Sequence, residues 1–293
     1  MITTKQQFIK NRYNKNIYTL YSESSIDTGN ANKNRPVVIM PCAYEKTVID
    51  YIFPALYLLT NGFDVVRYDN PNHLGASDGD IYDFDLVEIY ETLQDVIHHV
   101  STVIKKENIS ILATSLMARC TVKALSEYDH LKKTVRLLVN MVGVVNLRDT
   151  ISKVCELDVF SDEHFDLKEF KVLNHYVNRK FVDRAKDIGL HTYESITNEI
   201  SKVDIPIYNI AASNDHWVDL QEIINTYKDN VIILPGGIHE VSKNPNAAKV
   251  MLKKVTEIFM QNHNGNATVR EPDFNALIKF TQQERELERM LEN

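Results

Sequence analysis

Ile109-Ser-Ile-Leu-Ala-Thr114-Ser115-Leu-Met-Ala-Arg-Cys120 decides how this chain is read. Its first five residues are a short apolar run with β-branched character, too short for a helix and suited to a buried strand. From Leu116 onward the composition turns helical. A serine is therefore expected at a sharp strand-to-helix turn. Outward from this point the same rhythm repeats. Apolar runs occur at Val37–Met40, Phe63–Tyr68, Val135–Val139 extending towards Val145, Ile205–Ile210 and Val231–Leu234. Between them lie helical patterns, the clearest being Leu86, Ile89, Leu93, Val96, Ile97, Val100 and Ile104 at steps of three and four. Gly62 follows the apolar segment Ile49 to Leu59, where a helix C′ glycine is expected. Strands alternating with helices predict an α/β protein with a mostly parallel central sheet flanked by helices.

Composition agrees with an enzyme-sized globular chain. Of 293 residues, 44% are hydrophobic and 25% charged, with only 9 Gly and 8 Pro, which excludes disordered, collagen-like and repeat architectures. We expect one core carrying an insertion: residues 1–150 as the first part of the core, 151–203 as a helical cap insertion, and 204–293 as the second part with a C-terminal helix. The 151–203 block breaks the strand rhythm with charged helical sequence carrying Phe160, Phe165, Phe170, Tyr176, Phe181 and Tyr193. The first 35 residues read as an antiparallel lead-in, with Tyr18–Tyr21 as a strand and Ser22 to Arg35 as a turn-rich loop. Near the other end, a helix over Asn246 to Met260, a polar joint Asn262 to Asn266 and a last helix ending at Arg289 are expected. The formal charge of −7, with scattered Lys and Arg, argues against nucleic acid as a partner. Cys42, Cys120 and Cys155 match no zinc or disulfide spacing and read as reduced thiols. No run has the length of a signal peptide or approaches the ~18 apolar residues of a membrane span. A cytoplasmic protein without cofactor or metal is the expectation.

A serine held out of a sheet at a strand-to-helix turn has the helix N-terminus and the next backbone N–H aimed at the same place. It can attack a carbonyl and have the oxyanion stabilised. Ser115 is the candidate nucleophile. A neutral hydroxyl needs a base and an orienting acid. Asp215, in Ala211-Ala-Ser-Asn-Asp215-His-Trp-Val218, falls just past a predicted strand end. His239, in Pro235-Gly-Gly-Ile-His239, falls in a glycine loop after the next. The order Ser, Asp, His is that of the α/β-hydrolases. Oxyanion donors are expected from the N–H groups of Leu116 and of Tyr44, in the loop after the first core strand. The usual G-x-S-x-G has become Ala113-x-Ser115-x-Met117, and Ala43 stands where a glycine usually precedes the second donor. Asp69 and His73 fit a turn the chain needs anyway, His216 is too close in sequence to Asp215 to face it, and Cys42 reads as a small buried filler.

These residues resemble a known family, the acyl-transferases or myristoyl-acyl-carrier-protein thioesterases of bacterial bioluminescence operons. The resembling stretches are Asn61-Gly-Phe-Asp-Val-Val-Arg-Tyr-Asp69, Ala113 to Arg119, Val142-Gly-Val-Val-Asn-Leu-Arg-Asp-Thr150, Asn214-Asp-His-Trp-Val218 and Glu271-Pro-Asp-Phe274. The resemblance implies an α/β-hydrolase fold, Ser115 as the residue that accepts a fatty acyl group, and Asp215 and His239 as acid and base. It further implies a long-chain acyl substrate on acyl carrier protein or coenzyme A, and fatty-acid reductase or synthetase subunits as partners. It accounts for Ala113 but not for Met117, a position where the family has a small residue. The cap aromatics offer cover for an acyl chain, although for any single one of them packing within a helical lid is the favoured account. A short-chain carboxylesterase and a non-catalytic hydrolase-fold binding protein remain as alternatives.

Overall fold

A computed structural model describes residues 2–26, 35–265 and 268–291. Eight strands form one twisted sheet in the order β1-β2-β4-β3-β5-β6-β9-β10. They are β1 (Thr3–Lys10), β2 (Asn16–Glu23), β3 (Val37–Pro41), β4 (Asp64–Tyr68), β5 (Ile109–Thr114), β6 (Val135–Met141), β9 (Ile207–Ala212) and β10 (Val231–Leu234). The last six are the six apolar runs of the sequence, and they pair in parallel. β1 and β2 pair antiparallel, and β2 joins β4 antiparallel, as a lead-in. β1 is an edge strand that sequence reading missed. The loop expected over Ser22 to Arg35 lies for the most part outside the described residues.

Side chains alternate across a strand, so a sheet covered on both sides needs two apolar cores. Val37, Ile39, Ile109, Ile111, Ala113 and Leu138 face one core, which is closed by α2 (Leu86–Thr102), α3 (Leu116–Glu127), α4 (Asp129–Thr134) and α8 (Leu220–Tyr227). Val38, Met40, Leu112, Leu137, Val139 and Met141 face the other, closed by α1 (Ile52–Thr60), α9 (Pro245–Asn264) and α10 (Phe274–Arg289). α9 therefore runs four residues past the expected Met260 before Gly265 caps it in the left-handed conformation.

Between β6 and β9 the chain inserts α5 (Leu147–Cys155), α6 (Lys180–Asp187) and α7 (Tyr193–Ile200), which pack on the first core. The segment expected to be helical also holds an antiparallel hairpin, β7 (Glu169–Val172) and β8 (His175–Asn178). Phe181 packs against Phe84, Phe160 and Phe170 at centroid distances of 5.9, 6.3 and 5.8 Å. Those three cap rings are packing rather than exposed cover, while Phe165 and Tyr176 face solvent. No helix among the described residues is long and apolar enough to cross a membrane.

Candidate active site

Ser115 follows the last residue of β5 and precedes the first of α3, at φ 54° and ψ −124°. A non-glycine residue holds such a conformation only when its surroundings enforce it. Here the Ser115 N–H donates to the Met141 carbonyl at 3.0 Å, and its own carbonyl accepts from the N–H groups of Ala118 and Val144, each at 3.1 Å. Close approach makes this possible: a Cβ on Gly143 would sit 2.8 Å from the Ala118 Cβ. Thus the turn keeps its shape without the usual flanking glycines. Met117 is buried, with its sulfur 3.4 Å from Asn70 Nδ2, and does not line the cavity beside Ser115.

The loops after β9 and β10 bring two distant groups to this turn. Ser115 Oγ and His239 Nε2 are 2.7 Å apart, and His239 Nδ1 and Asp215 Oδ2 are 2.7 Å apart. The Trp217 and Val218 N–H groups donate to Asp215 Oδ1 at 2.9 and 3.0 Å, which fixes the carboxylate against the imidazole. Asn214 N–H donates to the Gly237 carbonyl at 2.9 Å, tying the two loops together. A Cβ on Gly237 would stand 3.1 Å from that of Ala212, so a glycine there lets the base loop lie close on β9. The Trp217 ring lies 4.8 Å from the imidazole and shields it. Both side chains of the acid and base are nearly inaccessible, whereas Ser115 is partly open. Such a line can carry the serine proton to Nε2 while the carboxylate steadies the charge that appears on the ring.

The expected oxyanion donors are placed as follows. In the loop after β3, Ala43 N–H donates to Tyr51 Oη at 3.1 Å and Glu45 N–H to His73 Nε2 at 2.9 Å. The intervening Tyr44 N–H has no hydrogen-bond acceptor among the described residues, and neither has the Leu116 N–H at the start of α3. The loop is also fastened to the cap, because the Glu45 carboxylate accepts from the Asn174 N–H and Nδ2 at 2.7 and 2.9 Å. His73 is thus an anchor of this loop, a role that spacing in sequence gives no signal for. Burial pushes its pKa down to about 4, which keeps Nε2 an acceptor. Asp69 accepts from the N–H groups of Val48 and Ala76 at 2.8 and 2.9 Å, as a turn residue does. His216 is exposed against Trp217. Cys42 is fully buried and its thiol is pushed well up by that burial, so it is no ready nucleophile.

Ser115 and His239 open on a cavity of about 320 Å³. Tyr51, Phe53, Pro54, Met141, Ala248 and Leu252 give it an apolar interior, and Glu45, Lys46, Asp50 and Glu240 a charged mouth. From the cap only Leu173, at the hairpin turn, contributes.

A family model described as acyl transferase matches residues 8–293. An acyl transferase of Photorhabdus luminescens is 29% identical over 278 residues, covering 90% of this chain and 88% of the relative. An acyl transferase of Shewanella hanedai is 31% identical over 251 residues, covering 82% and 80%. Among solved structures, Est1E from Butyrivibrio proteoclasticus superposes with a TM-score of 0.69 at 14% identity, covering 89% of this chain and 99% of that one. That likeness is one of fold, the α/β-hydrolase fold.

Proposed function

Because the chain belongs to the acyl transferase family, we propose that it moves a long-chain fatty acyl group from acyl carrier protein or coenzyme A through an ester on Ser115. The observation that carries this reading is the hydrogen-bonded line Ser115–His239–Asp215 opening on an apolar cavity. Ser115 Oγ attacks the thioester carbonyl carbon as its proton passes to His239 Nε2. The carbonyl π electrons move onto oxygen, which is held by the Tyr44 and Leu116 N–H groups. Asp215 stabilises the imidazolium through Nδ1. Collapse of the adduct breaks the C–S bond, and the leaving thiolate takes the proton from Nε2. In the second half, water or another acceptor gives its proton to Nε2, attacks the acyl-serine and releases it, and the proton returns to Ser115 Oγ. Each buried methylene of the chain contributes about 0.8 kcal/mol, so an apolar cavity suffices to hold a fatty acyl group without many polar contacts. A fatty-acid reductase that consumes the released or transferred acyl group is the onward partner in this reading.

Incubation with mass-tagged long-chain acyl-CoA, followed by peptide mapping, tests it. An adduct on Ser115 that vanishes in Ser115→Ala is the expected result. Turnover of short esters alone would point to a carboxylesterase, and neither adduct nor turnover to a binding protein.

A further inference from the structure

The sheet separates two cores, and the cap belongs to one of them. α6 packs on α2 and α7 on α3, and the buried cap aromatics contact one another and Phe84. The interior of the cavity belongs to the other core: Tyr51, Met141 and Leu252 are buried members of it, on the side closed by α1 and α9. Helices α1 and α9 pack side by side. Phe53 and Pro54, in the first turn of α1, form one wall. Ala248 and Leu252, one helical turn apart and so on one face of α9, line the cavity from that helix. The first turn of α9 is fixed by Asn244, whose side chain accepts from the Ala247 N–H at 3.2 Å. Glu45, Lys46, Asp50 and Glu240 give the lining its charged groups, while Tyr51, Met141 and Leu252 are its buried apolar members.

We infer that an acyl chain on Ser115 runs away from the cap, between the first turn of α1 and the N-terminal half of α9, and that Ala248 and Leu252 set the length accepted. This rests on the acyl-serine reading above. The thioester end and its carrier then stay at the charged mouth, where water is available to them, and the methylenes enter the α1–α9 side. Ala248 is the smaller of the two α9 residues, so its side chain leaves space that a larger one would fill. The cap acts on the mouth through the hairpin and does not read chain length.

The test measures the rate of Ser115 acylation by butyryl-, lauroyl- and palmitoyl-CoA in wild type, Ala248→Phe, Leu252→Ala and the cap variant Leu173→Trp, with thermal unfolding recorded for each. In Ala248→Phe the palmitoyl-to-butyryl ratio should fall by at least about tenfold, the scale on which pockets discriminate small changes of apolar volume. In Leu252→Ala the same ratio should rise, so the two variants move it in opposite directions and a loss of stability in one cannot imitate the result. An unchanged ratio in both, or a change produced only by Leu173→Trp at the cap, overturns the placement while leaving the acyl-serine reading intact. No Ser115 adduct with any donor in wild type overturns that reading and the placement with it.

Discussion

Both oxygens of Asp215 have fixed partners: Oδ2 faces the imidazole and Oδ1 accepts two backbone N–H groups. An asparagine in its place would keep its carbonyl oxygen towards those two donors and turn its NH₂ to His239 Nδ1. The ring would then carry its proton on Nε2 and could not take one from Ser115. Asp215→Asn should lower kcat by roughly 10⁴-fold with the melting temperature nearly unchanged, measured as thioester hydrolysis beside a thermal scan. Full activity in that variant would remove Asp215 from the reaction. His73 works one step further back. Its Nε2 accepts the N–H of Glu45, the residue after the proposed donor Tyr44, and Glu45 itself sits at φ 61°. In His73→Phe the loop loses this anchor, and kcat should fall by up to about 10²-fold, with KM changed little, since a displaced donor is felt at the oxyanion and not at the acyl chain. Restoration of part of the rate in His73→Gln, which returns an acceptor, separates positioning from bulk packing.

The helix that follows Ser115 is joined to the cap by a buried ion pair. Arg119 of α3 is inaccessible to solvent. It donates to both carboxylate oxygens of Glu199 on α7, to Ser195 Oγ at 2.6 Å and to the Leu190 carbonyl at 3.2 Å. Glu199→Ala strands this guanidinium, with Lys123 Nζ beside it at 3.6 Å from the lost carboxylate, and should cost about 3–5 kcal/mol in urea unfolding. A smaller deficit in Arg119→Met/Glu199→Leu than in the single variant would show that the stranded charge is the cause. At this scale the sequence is uneven in what it discloses. The six parallel strands were legible because five of them are buried along most of their length and read as largely apolar runs, while β10, partly exposed at the sheet edge, still reads Val-Ile-Ile-Leu, and α2 was legible because its stripe repeats at helical spacing. β1, Thr-Thr-Lys-Gln-Gln-Phe-Ile-Lys, is an edge strand whose exposed side chains leave no such run. The hairpin strands have four residues each, too few for a period. Ser115, Asp215 and His239 could be singled out because each follows a strand, where the topology gathers loops at one sheet end. The cavity could not be assigned to a side. Composition marks the cap as aromatic, but only packing tells that Phe160, Phe170 and Phe181 are consumed by one another.

Across the whole chain, buried titrating groups set how stability responds to acid. Burial lowers the pKa of His73 and of His263 to about 4 from 6.5, and lowers those of His99 and His191 as well. Burial raises that of Asp69 to about 6 from 3.8, and raises Glu222 too. A histidine depressed in the fold contributes stability that is complete above its unfolded value and is lost as pH falls towards its folded value. A raised carboxyl acts in the opposite sense, favouring the fold as it protonates. Near pH 5 the unfolded chain holds one more proton at each of His73 and His263, and one fewer at Asp69. The net excess of about one proton gives a slope of about 1.4 kcal/mol per pH unit, and His99 and His191 steepen it while Glu222 opposes them. Stability should therefore drop between pH 6.5 and 4 even though the chain, at −7 near neutrality, is shedding its negative self-repulsion there. Urea midpoints from pH 7 down to pH 5 measure this. His263, within 2.8 Å of Ser110 Oγ and far in sequence from Ser115, Asp215 and the loop after β3, is the group to remove. His263→Gln deletes one of the two large histidine contributions, leaving His73 and Asp69 nearly balanced, and should flatten the profile near pH 5. A slope as steep as that of wild type in this variant would show that the acid response originates elsewhere than in the buried imidazoles.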